Sequence, residues 1–246
     1  MPGVSVVCAL WVGPVNGDRL YTPLYVERLA DMAKKNLSIE HDFTCFTNVP
    51  AAEFRPDLRV VPLVHGWPLW WSKMETMRAG VLAGDVVINL DLDILIVKSL
   101  DPFLAAWQDG GENFAAMNYW SYSGFRTRGQ ARARMRASRG RECVPRLSSD
   151  LMIYRREDGE KLFTEFEPQA DEFMARYCGD QDVIGVLRPE AGRFPRSWGR
   201  KIRRQELGEW PLDFGEAKIL ACHPIKNHRL AEQGYTYLDR IWSGHA

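Results

Sequence analysis

Asp91 and Asp93 stand inside an apolar run, Gly84-Asp-Val-Val-Ile-Asn-Leu-Asp-Leu-Asp-Ile-Leu-Ile-Val97. Stripping water from a carboxylate costs on the order of several kcal/mol unless a counter-charge replaces it. Read as a buried strand, the run points residues two apart to one side, roughly 6.5 Å apart along the backbone. Both acids can then converge on one cation, and carboxylate oxygens suit a hard divalent ion. The spacing predicts a strand-end divalent metal site. A D-x-D pattern alone is common, and a second one occurs at Asp180-Gln181-Asp182. The apolar flanks Val86-Val87-Ile88 and Ile94-Leu95-Ile96-Val97 set the first apart from a pair that caps a strand in solvent.

The elements that must hold these acids follow from hydrophobic patterning. Val4 to Leu10 is a near-continuous apolar strand, the kind buried on both faces of a parallel sheet. Thr22-Pro23 then opens a helix, with Thr as N-cap and Pro at the first helical position. Leu24, Val26, Leu29, Ala30 and Ala33 form its apolar stripe. Residues 42–47 and 58–63 read as strands, and Ser72-Lys-Met-Glu75 reads as a capping box starting a helix to about Leu82. After the acid-bearing strand, Asp101-Pro102 caps a short helix through Trp107. This β-α-β-β-α-β order predicts an open α/β sheet with helices on both faces, whose ligands bind beyond the carboxyl ends of the strands. Residues 113–118, Leu151 to Tyr154 and Ile219 to Cys222 read as further strands, and Gly159 to Arg176 as helix broken at Pro168. No G-x-G-x-x-G and no P-loop pattern is present.

At 246 residues the chain can bury one full core. Thirty-two basic against thirty-two acidic residues leave no net charge to steer the whole molecule toward nucleic acid or membrane. Five cysteines (8, 45, 143, 178 and 222) without C-x-x-C spacing argue against a disulfide framework or zinc cluster and read as buried thiols. No basic leader and no long apolar span is visible, so the expected compartment is the cytoplasm.

The succession of landmarks resembles the GT-A glycosyltransferases, and most closely glycosyltransferase family 8, the glycogenin and bacterial galactosyltransferase type. The resemblance rests on the first strand with its loop and helix, and on the D-x-D before Leu100-Asp-Pro-Phe103. The later Asp180-Gln181-Asp182 and a late strand ending at His223 complete it. It runs over about residues 4–230. It implies a mixed, mostly parallel central sheet flanked by helices, in one GT-A domain over 1–246 with an Arg-rich insertion near 125–146. It also implies transfer of a hexosyl unit from a UDP-sugar to an acceptor hydroxyl with retention, the alternative being an inverting enzyme with Asp180 or Asp182 as its base.

The resemblance further implies that Asp91, Asp93 and His223 bind Mn²⁺ (or Mg²⁺) held by the nucleotide-sugar diphosphate. Asp180, Gln181 and Asp182 would face the transferred sugar, although Asp180 is also a good helix N-cap. Cys8, Ala9 and Tyr21 are candidates for nucleoside contact, Tyr21 as a uracil stack; ordinary core and helix-entry roles are equally open. Lys73 falls where the family has a base near sugar or phosphate, against the alternative of a solvated helix-start lysine. The family's tail, roughly H-x-x-G-x-x-K-P-W, is here His223-Pro-Ile-Lys226-Asn-His-Arg229. Lys226 takes the glycine slot and Arg229 the lysine slot; either cation can meet a diphosphate.

Between Phe125 and Arg146 lie eight arginines (Arg126, Arg128, Arg132, Arg134, Arg136, Arg139, Arg141 and Arg146) and a single acid, Glu142. They read as a solvated face, or as a patch for an anionic glycan or a membrane surface, ahead of nucleic-acid binding in a chain of zero net charge. The acceptor class, whether glycan, lipid-linked or protein, stays open. Trp67, Trp70 and Trp71 fit sugar stacking or a core role alike. Two rival functions remain: a metal-dependent phosphoesterase and a non-catalytic nucleotide-sugar-binding protein of the same fold.

Overall fold

The structure, a computed structural model, describes residues 3–13, 21–118, 140–143, 147–202, 214–222 and 236–244. Its strands are β1 (Val4–Leu10), β2 (His41–Thr47), β3 (Arg59–Pro62), β4 (Val86–Leu90), β5 (Ile94–Ile96), β6 (Phe114–Met117), β7 (Ser148–Arg155), β8 (Gly192–Arg193), β9 (Gly199–Lys201) and β10 (Ile219–Ala221). Helix α1 (Pro23–Asn36) follows β1 and helix α2 (Asp101–Gly110) follows β5.

A seven-stranded sheet runs β3-β2-β1-β4-β7-β6-β8. Strands β3, β2, β1 and β4 are parallel, while β7 is antiparallel to both β4 and β6. Alternation along β1 explains the two cores. Val4, Val6, Cys8 and Leu10 face one layer with α1 and α2, and Val7 faces the other with Phe46, Met74 and Phe166. On the second face lie a 3-10 segment (Leu69–Met77) and the helix Arg156–Phe166.

Several expectations are corrected. The run from 84 to 97 is two strands, because β4 stays in the large sheet while β5 joins a second one, β5-β10-β9. Asp91, Leu92 and Asp93 make the turn between them. Ser72 to Glu75 is no capping box: the Ser72 hydroxyl donates to the Leu69 carbonyl at 2.6 Å, inside the 3-10 segment. Glu75 is fully buried and accepts from the Val64 and His65 backbone amides at 2.7 and 3.1 Å, organising the loop before it. On α1, Leu24 is exposed, and Tyr25 and Met32 complete the buried stripe.

Cysteine usage is corrected too. Cys143 and Cys178 form a disulfide, with Cα atoms 5.3 Å apart. Cys8, Cys45 and Cys222 are the buried free thiols the sequence suggests. A parallel bridge between Glu142 and Tyr177, and an ion pair of Glu142 with Arg176 at 3.1 Å, sit beside the disulfide.

Candidate active site

Asp91 comes to the carboxyl end of β4, and its backbone amide donates to the Asp150 carbonyl of β7 at 2.9 Å. This is the border where the parallel half of the sheet meets its antiparallel half. A break of register on β7, between the partners of Ala116 and Met117, falls across Ser148 to Met152. Irregularities of this kind turn side chains out of the regular alternation. Here they bring Ser149 and Asp150 to the strand end beside Asp91.

Lys73 occupies the centre. Its ammonium contacts the Asp91 carboxylate, lies 3.2 Å from Asp180 Oδ2, and donates to the Ser149 hydroxyl at 2.9 Å and the Ser149 carbonyl at 3.2 Å. The residue is only 6% exposed, which disposes of the solvated helix-start reading. Burial by itself would depress the ammonium's pKa; Asp180 and Asp91 overcome this and carry it above the ordinary lysine value. Asp91 is pushed the other way from a normal acid. Burial raises its pKa well above the usual carboxylate range, Lys73 opposes that, and Asp150, Asp93 and Asp180 add to the rise.

Asp93 is buried, and its Oδ2 accepts from the Tyr21 hydroxyl at 2.8 Å. Its backbone carbonyl accepts from the Cys222 amide at 2.8 Å, which brings the end of β10 to the same corner. Asp150 is partly exposed and accepts from the Ser148 hydroxyl at 2.8 Å. Its pKa is raised, by burial first and by the charge of Asp93 second.

Asp180 begins the helix Asp180–Leu187, entered through Gly179. Both Asp180 and Asp182 are buried, but they turn to different neighbours. Asp180 meets Lys73, whereas the Asp182 carboxylate lies within 4.8 Å of both disulfide sulfurs. That cysteine–aspartate trio is no metal centre, since its sulfurs are bonded to each other. Gln181 is partly exposed on the same helix. Cys8 is buried and pairs in register with Cys45, and burial pushes its thiol pKa up; the partly exposed Ala9 follows it.

Trp67 and Trp71 are core residues against Phe166, while Trp70 is 46% exposed. Leu69 precedes it with φ of 55°, a left-handed conformation uncommon for leucine. The Trp70 indole lies so close to Gly179 that a side chain there would meet its Nε1 at 3.3 Å. His223, Lys226, Arg229 and the arginines of the 126–146 cluster other than Arg141 lie outside the described residues.

Carboxylate oxygens are the donor type that a hard divalent cation takes. Among the described residues Asp91, Asp180 and Asp150 act on the one ammonium of Lys73 and Asp93 acts on Asp91, an excess of carboxylate in a largely buried corner. Of the residues singled out in the sequence, the structure brings Asp91, Asp93, Lys73 and Asp180 together. Sequence reasoning missed Ser149 and Asp150, whose only signal was a polar Ser-Ser-Asp directly before an apolar strand.

Comparison with solved structures bears on the fold. A galactosyltransferase, LgtC, in complex with donor and acceptor sugar analogues, superposes with a TM-score of 0.62 at 14% identity, over 98% of this chain and 95% of its own. This is a GT-A glycosyltransferase fold. GlyE, a glycosyltransferase of Streptococcus pneumoniae TIGR4, is similar with a TM-score of 0.60 at 14% identity, over all of this chain and 62% of its own. Mouse xyloside xylosyltransferase 1 gives a TM-score of 0.51 at 14% identity, over 91% and 99% of the two chains. No protein-family model and no curated protein sequence matches the chain.

Proposed function

We propose that this protein is a glycosyltransferase that moves a hexosyl unit from a UDP-sugar to an acceptor hydroxyl. The observation that supports this most is the carboxylate cluster at the carboxyl end of β4, set in a GT-A sheet with Lys73 beneath it. Asp91 and Asp93 would hold Mn²⁺ or Mg²⁺. His223 is a candidate third ligand because it follows Cys222, whose amide is bonded to the Asp93 carbonyl. The bound ion supplies Lewis-acid neutralisation of charge building on the departing diphosphate.

The chain's own groups do the rest. Lys73 pairs with Asp91 and Asp180 at the corner where the sugar's anomeric carbon would turn positive. Asp180 and Gln181 stand where they can take sugar hydroxyls, and the exposed face of Trp70 borders their loop. Cys8 and Ala9 are the nucleoside-side candidates, with Lys226 and Arg229 for the diphosphate. Retention is proposed from the family-8 resemblance. The acceptor is a sugar, free or carried on lipid or protein.

Among the described residues no helix is long and apolar enough to cross a membrane. The Cys143–Cys178 disulfide favours an oxidising compartment over the cytoplasm expected where no basic leader or long apolar span is visible.

The test is turnover of a panel of UDP-sugars with and without Mn²⁺, read as UDP release. Metal-dependent release that is lost in the folded Asp91→Ala/Asp93→Ala double variant supports the proposal. Equal release by that variant removes the two acids from the reaction, and no release with any donor leaves a binding protein. Hydrolysis of simple phosphate esters instead would select the phosphoesterase.

A further inference from the structure

We propose that Tyr21 is a positioning residue that orients the Asp93 carboxylate toward the cation, rather than a platform for the nucleobase. This rests on the reading of Asp91 and Asp93 as ion ligands. Asp93 is 5% exposed, and a carboxylate buried to that degree needs its lone pairs directed. One contact directs the carboxylate and a second fixes its backbone. The Tyr21 hydroxyl donates to Oδ2 at 2.8 Å, and the Cys222 amide donates to the Asp93 backbone carbonyl at 2.8 Å. Among the described residues no hydrogen bond engages Oδ1.

The phenol is itself held. Tyr21 stands edge-on against Tyr25 with ring centroids 5.1 Å apart, and Tyr25, fully buried on α1, packs on Trp242 at 5.4 Å. Thr22 and Pro23 follow at once, so the fixed φ of proline and the start of α1 set where the ring emerges. The hydroxyl thus comes from a rigid element on one side of the site, while Asp91 is held from the other side by Lys73.

A donor bonded to one carboxylate oxygen fixes the plane of the group and directs the other oxygen outward. Partners of this kind, which touch the ligand and not the ion, typically change metal affinity by about 10–100-fold when removed. A base-stacking role predicts something different. It needs the ring and not the hydroxyl, so phenylalanine would replace tyrosine without loss.

Mn²⁺ alone is titrated into the full chain by isothermal calorimetry, with Mn²⁺ electron paramagnetic resonance as a second readout. Wild type, Tyr21→Phe, Tyr21→Ala and Asp93→Asn are compared, and urea midpoints establish folding. The expected result is Mn²⁺ binding by wild type, its loss in Asp93→Asn, and about a tenfold or larger rise in Kd in Tyr21→Phe. Metal-free uridine should bind wild type and Tyr21→Phe alike, and Tyr21→Ala no more than about twofold worse. Wild-type Mn²⁺ affinity in Tyr21→Phe, with uridine binding lost in Tyr21→Ala, overturns the inference and leaves the proposed function standing. Wild type that binds no Mn²⁺, or Asp93→Asn that binds it as tightly, overturns both.

Discussion

The Lys73 ammonium stands 3.2 Å from the Asp180 carboxylate and also contacts Asp91, so one buried cation ties the start of the helix Asp180–Leu187 to the end of β4. Removing it strands two acids in a corner from which water is largely excluded. Lys73→Met is therefore expected to destabilise the fold by about 3–5 kcal/mol, measured by urea denaturation. A loss below about 1 kcal/mol, the size of an exposed pair, would show that the acids are solvated instead.

The disulfide closes a loop between residues 35 apart and joins the chain just before Gly179 to the segment at Glu142. Its removal should cost about 2–4 kcal/mol. Reductant is expected to lower the urea midpoint of wild type and leave that of Cys143→Ser/Cys178→Ser unchanged. Because Asp180 lies two residues beyond Cys178, the serine variant should also lose turnover number more than donor KM.

Glu75 holds the Val64 and His65 amides from a fully buried position. Glu75→Ala leaves both donors without that acceptor. Each hydrogen bond to a charged group is worth about 1.5–3 kcal/mol. The variant should unfold at clearly lower temperature in a calorimetric scan, and Glu75→Gln, which keeps one carbonyl oxygen, should lie between it and wild type.

Asp101 links the start of α2 to the end of α1. Its carboxylate accepts from the Ser38 amide and the Ser99 hydroxyl, both at 2.9 Å. Burial alone would raise its pKa, but these hydrogen bonds together outweigh burial and hold the carboxyl below the usual range. A pKa lowered by folding adds stability above the unfolded value of about 3.9, and that stability disappears as pH falls through the folded value. The difference in thermal midpoint between wild type and Asp101→Asn should therefore shrink as pH drops from about 6 to about 3. A constant difference would mean that the hydrogen bonds survive protonation.

Much of the scaffold was legible because local rules sufficed. Val4 to Leu10 could only be a strand covered on both faces, and Thr22-Pro23 could only open a helix. The break at Pro168 appears as a 3-10 turn, Glu167–Gln169, between two helices. Other elements defeated local reasoning for a physical reason. The capping box at Ser72 lost to Glu75's bonds with Val64 and His65, ten or more residues earlier in the chain. The cysteines looked unpaired because 143 and 178 lie 35 residues apart and adjoin only through the tertiary bridge between Glu142 and Tyr177.

By itself the sequence determined the chemistry available at the site. A D-x-D between apolar flanks, a lysine ahead of it and an acid-amide-acid trio behind it are fixed by residue type and spacing. Only the tertiary structure decided which groups meet. The turn that sends β5 to a second sheet gives Asp91 to Lys73 and Asp93 to Tyr21, and antiparallel pairing of β4 with β7 adds Ser149 and Asp150. The reason is one of range. Strand and helix preferences are set by neighbours a few residues apart, whereas a buried charge is settled by whichever partner the packed layers carry to within about 3 Å of it.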